Sequence, residues 1–206
     1  LLAALEVVNA ALVIGGNPRK DQPILGHRLR KAAVAGAQVM FVNPVDYEFL
    51  FDVHAQAVVP PSQMTATLAA IAACFPDAAG KAAEAVRAAI AAAAPDDTHR
   101  AMAQALQAAD KATVLLGNVA MAHPQFSMIK ALAGVIAAAS GATLGVLTDG
   151  ANGAGGWLAG VLPHRGPAGA AVSTVGLDAQ AMLAAPRKGY LLFGVEPAHD
   201  CADAGQ

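Results

Sequence analysis

Apolar runs of strand length alternate along the chain with stretches whose apolar residues recur at helical spacing. That grammar predicts parallel βαβ units. Ala10 to Ile14 is a continuous apolar run, broken by Gly15, Gly16, Asn17 and Pro18, residue types that suit a tight turn. Pro23 then opens a helix whose Leu25, Leu29, Ala32, Ala33 and Gly36 share one face, with His27, Arg30 and Lys31 on the other. Gly36 closes it, and Gln38 to Val42 forms a second buried strand ending at Asn43 and Pro44. A short strand is expected at Ala57 to Val59, followed by a helix capped by Ser62 and running to about Phe75.

The alanine-rich stretch from Gly80 to Ala94 reads as a helical connector, since alanine has the highest intrinsic helix propensity. Asp96 is placed to cap a further helix reaching about Ala109. The second half repeats the pattern of the first. Thr113 to Leu116 is a strand ending in Gly117 and Asn118, Pro124 opens a helix to about Ser140, and Gly141 with Ala142 leads into a strand at Thr143 to Leu147. A last strand is expected at Tyr190 to Phe193. The expected fold is therefore α/β, a doubly wound and mainly parallel sheet made of two similar βαβ halves. The division falls at 1–110, with the helical connector, and 111–206.

Composition changes this picture in one respect. Of 206 residues, 56% are hydrophobic and only 14% charged, against about 25% in an average domain. The mean hydropathy is +0.47. So little charge implies surface buried against something else, and the leading residue, Leu1, fits an internal piece of a larger chain. The most apolar stretch, Ala131 to Thr148, is interrupted by Ser140, Gly141 and Thr143 and is not expected to enter a membrane. A net charge of −2 and a pI near 6.3 provide no basic face for nucleic acid. Cys74 and Cys201 form no CxxC pair, and the six histidines show no metal-ligand spacing, so neither a metal site nor a disulfide framework is expected. No GxSxG elbow or other catalytic constellation is present.

Two glycine-rich turns remain as candidate ligand contacts. The turn Gly15 to Pro18 precedes a helix amino end, yet it is neither GxGxxG nor a P-loop; it reads as a phosphate-approach site or as a plain strand-to-helix turn. The run from Asp149 to Trp157 is the most glycine-dense part of the chain. It would either wrap a nucleotide or pterin with backbone donors or lead as a flexible loop into a short helix, with Trp157 packing rather than stacking on a ligand.

The phrases ALVIGGNPRKDQPILGHRLRK at Ala11 to Lys31 and GAQVMFVNP at Gly36 to Pro44 resemble the central region of molybdopterin oxidoreductases such as formate dehydrogenase. NPVDYEF at Asn43 to Phe49, LLGNVAMAHPQ at Leu115 to Gln125, GANGAGGWLAGVLPHRGP at Gly150 to Pro167 and GVEPAHDCAD at Gly194 to Asp203 resemble the large iron-sulfur subunit of bacterial NADH:quinone oxidoreductase, respiratory complex I. The resemblance covers nearly the whole chain. It implies a molybdoenzyme-like fold that binds no cofactor here, with iron-sulfur clusters on an amino-terminal part of the parent subunit. It implies a structural role supporting electron transfer from NADH to quinone, with the other peripheral-arm subunits as partners, on the cytoplasmic face of the bacterial inner membrane. Neither nucleic acid nor direct membrane insertion is expected. A vestigial cleft is expected at Gly16, Asn17, Asn43, Pro44, Asp149, Asn152 and Gly153. Cofactor-binding relatives often carry an acidic residue, Pro and a basic residue after the second strand, whereas this chain has Asn43, Pro44, Val45 and Asp46, which would repel an anionic dinucleotide. The alternative implied by the same residues is a working molybdopterin-dependent oxidoreductase domain. A further alternative is a free-standing nucleotide-binding module.

Overall fold

A computed structural model of the chain describes residues 2–76, 78, 80, 82–148, 150 and 152–201. They form two compact units, Leu1–Asp149 and Gly150–Gln206. The first holds a five-stranded sheet in the order β3-β2-β1-β4-β5, built from β1 (Ala10–Ile14), β2 (Gln38–Asn43), β3 (Ala55–Val58), β4 (Ala112–Leu116) and β5 (Thr143–Val146). All four pairings are parallel, with Leu12 opposite both Met40 and Val114 at the centre. The strand order reverses between β1 and β4, which makes their carboxyl ends the crevice where doubly wound sheets take ligands.

The central strands are apolar throughout because both faces are covered, and side chains alternate between them. Ala10, Leu12, Ile14, Met40, Val42, Val114 and Leu116 point into the larger core. Over it lie α2 (Met64–Ala73), α3 (Glu84–Ala91), α4 (Asp97–Ala108) and α6 (Phe126–Ser140). Ala11, Val13, Val39, Phe41 and Leu115 face the opposite way, under α1 (Pro23–Val34) and the loop that carries Phe49, Phe51 and Val53. An amino-terminal 3-10 helix, Leu2–Val7, is tied to α1 through Glu6, whose carboxylate takes both Arg28 and Lys31. Phe41, wholly buried, stacks on Phe49 at 3.9 Å between ring centroids, and Phe49 stacks on Phe51 at 5.7 Å. Full burial of such a ring contributes about 2–3 kcal/mol, and the stack ties the connection from β2 to β3, which has no helix of its own, to the sheet.

The helix ends repeat a device. After α1, Gly36 has φ of +100° and the Ala37 N–H reaches the Ala32 carbonyl; after α6, Gly141 has φ of +72° and the Ala142 N–H reaches the Ala137 carbonyl. Both are left-handed glycine caps, which explains why Gly-Ala stands at both places. Asp96 caps α4 as expected: its carboxylate accepts from the His99 N–H at 2.9 Å, and His99 Nδ1 accepts from the Asp96 N–H at 3.1 Å.

Several expectations are corrected. Ser62 caps nothing; it lies in a 3-10 turn, Pro61–Gln63, ahead of α2. Pro124 does not open the long helix, because the chain forms α5 (Asn118–Met121) at once after β4 and α6 begins only at Phe126. The closing strand at Tyr190 to Phe193 is absent: these residues are unpaired, with Leu191 96% and Phe193 94% exposed. Four apolar residues between glycines satisfy the pattern of a strand without supplying a neighbour to pair with.

The second unit contains α7 (Gly153–Ala159), a bridge between Leu162 and Arg165, α8 (Ala179–Ala184) and α9 (Pro197–Asp200). None of its described residues is buried, and Trp157, expected to pack, is 63% exposed. Among the described residues no helix is long and apolar enough to cross a membrane.

Candidate functional site

The carboxyl ends of β1 and β4 meet in two glycine turns. Gly15 adopts φ of +62°, which turns the chain so that Gly16 lies against Gly117. The approach is backbone on backbone. A Cβ added to Gly117 would lie 2.5 Å from the Gly15 oxygen and from the Gly16 Cα, and one added to Gly15 would lie 2.5 Å from the Ala120 nitrogen. Asn43, at the end of β2 and 1% exposed, latches this junction: its Oδ1 accepts from the Gly16 N–H at 2.9 Å and its Nδ2 donates to the Gly16 carbonyl at 3.1 Å. Such two-way pairing is what a buried amide requires.

Most backbone donors at these exits are spent inside the chain. Gly15 N–H bonds the Val42 carbonyl at 2.8 Å, Gly117 N–H bonds the Ile14 carbonyl at 2.8 Å, and Val119 and Ala120 N–H both bond the Gly15 carbonyl, at 2.9 and 3.3 Å. With the Gly16 N–H held by Asn43, five amides at the two turns are committed and are not free for a phosphate. The nearest anion is the chain's own, since Asp21 accepts from the Asn17 N–H at 3.1 Å. Two buried side-chain atoms here have no partner among the described residues: Oδ1 of Asn17 and Oδ1 of Asn118.

Of the residues expected to form a cleft, the structure brings together Gly16, Asn17 and Asn43, with Pro44 following directly. Asn43 serves as an internal latch rather than as a lining residue. Asp149 lies outside the described residues. Asn152 and Gly153 belong to the second unit, where Asn152 precedes α7 and its amide lies over Gly155 without capping the helix. Asp46, read as repelling an anion, accepts from Gln56 Nε2 at 2.7 Å. The contact of Gly117 with Gly16, and Asn118 beside it, lies outside what the sequence reading singles out. The signal is present in the repeated strand-Gly-Asn phrase: β1 and β4 are neighbours with Ile14 opposite Leu116, so the two turns leave the sheet side by side.

Elsewhere the titratable groups have structural explanations. Burial pushes the Cys74 thiol above its usual range, and its Sγ lies 3.3 Å from the Ala70 carbonyl. The backbone hydrogen bond from His99 holds the Asp96 carboxyl below the usual range. Among the described residues no group of three or more His, Cys, Asp or Glu side chains is placed to hold a metal ion.

No family model matches the chain, and no curated protein matches it. Among solved structures it is similar to a chain of the formyltransferase/hydrolase complex FhcABCD from Methylorubrum extorquens, determined in complex with methylofuran. The TM-score is 0.52 at 17% identity, over 80% of this chain and 44% of that one. Identity this low shows a shared fold alone. The identification with the large iron-sulfur subunit of NADH:quinone oxidoreductase, and with its molybdopterin-oxidoreductase-like region, is therefore corrected: no family or curated match supports it, and the structural likeness leads to a different complex. In the phrases that carried it, Gly15 to Pro18, Asn43 with Pro44, and Gly117 with Asn118 stand at strand exits, where chain geometry selects the same residues in unrelated proteins.

Proposed function

We propose that this chain is a non-catalytic structural region of a multi-subunit enzyme, in which a doubly wound sheet serves as architecture. The observation that carries the reading is the occupied switch point: Gly16 and Gly117 fill it with backbone, and five amides around it are bonded within the chain. A phosphate or dinucleotide there would have to break several of these bonds, at about 1 kcal/mol net for each and more for any group left buried and unpaired. The low charge content and the exposed apolar side chains of the second unit, Trp157, Leu191 and Phe193 among them, support an assembly role. The likeness to a chain of a multi-subunit complex agrees with it.

A second reading is favoured by one observation. The unpartnered Oδ1 atoms of Asn17 and Asn118 flank the glycine contact and would accept from a ligand that donates hydrogen bonds, making the crevice a cofactor site. The two readings separate in the assembly purified through a tag on this protein. Asn17→Leu and Asn118→Leu remove the two acceptors while keeping side-chain size. The structural reading predicts unchanged activity per assembled complex. Lost activity with assembly intact would establish the cofactor reading instead.

A further inference from the structure

Beside the switch point, between the start of α1 and the aromatic loop, lies a cavity of about 190 Å³ lined by Pro18, Pro23, Gly26, Phe49 and Phe51, with Arg19, His27 and Arg30 among its walls. Its aromatic wall is preformed, because Phe49 and Phe51 continue the stack that begins at buried Phe41. The volume is that of one six-membered ring with a small substituent; an apolar cavity of about 150 Å³ accommodates benzene.

The charge around the cavity is unbalanced. Arg19 is engaged by Glu48, through the carbonyl at 3.0 Å and the carboxylate at 3.7 Å. Arg30 is held differently: its Nε donates to the Leu50 carbonyl at 3.1 Å, which fixes the guanidinium at the loop while its two terminal amino groups have no partner among the described residues. The His27 ring likewise has none. A guanidinium pinned at Nε presents the flat pair of donors that a carboxylate takes in bidentate fashion.

We propose that this cavity binds a small ring-bearing carboxylate, the ring against Phe49 and Phe51 and the carboxylate on the terminal amino groups of Arg30. The site is separate from the glycine junction, so it stands whether or not the crevice itself is inert. Benzoate is the probe, titrated into the isotope-labelled full chain and followed by amide NMR, with acetate and benzyl alcohol as controls for charge and ring alone. The expected result is saturable shifts confined to Gly26–Arg30 and Phe49–Phe51, about tenfold weaker binding in Arg30→Gln, and no saturation with either control. Should Arg30→Gln disturb the loop it anchors, His27→Glu, on the cavity wall, supplies the same readout by repelling the carboxylate. Absence of saturable shifts, shifts centred elsewhere, or benzyl alcohol matching benzoate would overturn the proposal.

Discussion

Replacing Gly117 by alanine tests whether the two turns are in contact. At φ of −95° and ψ of −177° the position tolerates any L residue, so backbone strain plays no part. What matters is space: the new Cβ would lie 2.5 Å from the Gly15 oxygen, 2.5 Å from the Gly16 Cα and 2.8 Å from the Gly16 nitrogen. All three are backbone atoms, the Gly15 oxygen accepting from the Val119 and Ala120 N–H groups and the Gly16 N–H donating to Asn43, and none can swing aside as a side-chain tip would. Overpacking of this kind costs about 1–3 kcal/mol, and the rigid neighbours put it in the upper part of that range. Reduced freedom of the unfolded chain returns about 0.4–1 kcal/mol. A net loss of about 2 kcal/mol remains, or about 4–8 °C in Tm for a domain of this size. Gly134→Ala is the matched control, because its Cβ would meet nothing within 4 Å in the middle of α6; it should gain about 1 kcal/mol from helix propensity. The sole tryptophan lies in the second unit, so unfolding is followed by far-UV circular dichroism in urea. If Gly117→Ala proves as stable as the parent while Gly134→Ala behaves as stated, the turns are apart and the crevice is open.

Asn43→Ala strips both bonds from Gly16 in a buried place and should cost about 3 kcal/mol in the same denaturation experiment, whereas an unchanged midpoint would dismiss the latch. Asp96→Ala should cost about 1 kcal/mol as a lost helix cap. Because the folded Asp96 carboxyl titrates below its unfolded value, its contribution is present above the ordinary carboxylate pKa of about 3.9 and is lost as pH falls through the folded one. Asp96→Asn should therefore flatten that part of the acid stability profile, and an identical profile would refute the assignment. Cys74, its thiol pushed up by burial, should react with iodoacetamide more slowly at neutral pH than a free cysteine does, and labelling at the free rate would contradict the packing around α2.

The sheet is legible in the sequence because its central strands announce themselves. Ala10 to Ile14 and Val39 to Val42 are unbroken apolar runs, as parallel strands covered on both faces must be, and the Gly-Ala pairs at Gly36 and Gly141 mark helix ends through positive φ. Asp96 is legible because capping is local chemistry. What depends on partners that no local periodicity marks is not. Tyr190 to Phe193 has the composition of a strand but no neighbour, and the Phe41, Phe49 and Phe51 stack joins rings with no periodic signal. At the candidate site the sequence places Gly16 and Asn43 together, yet it casts Asn43 as a residue lining the cleft. Only the pairing with both polar groups of Gly16 shows that it closes the crevice.

The central claim, that the switch point is sealed by the chain itself, is tested most directly by hydrogen exchange at the Gly16, Gly117 and Val119 amides, with and without a saturating dinucleotide. The account predicts protection approaching that of the central strands in the free protein and no change when the dinucleotide is added. Rapid exchange in the free protein that slows on addition would show an open site waiting for its ligand and would contradict it.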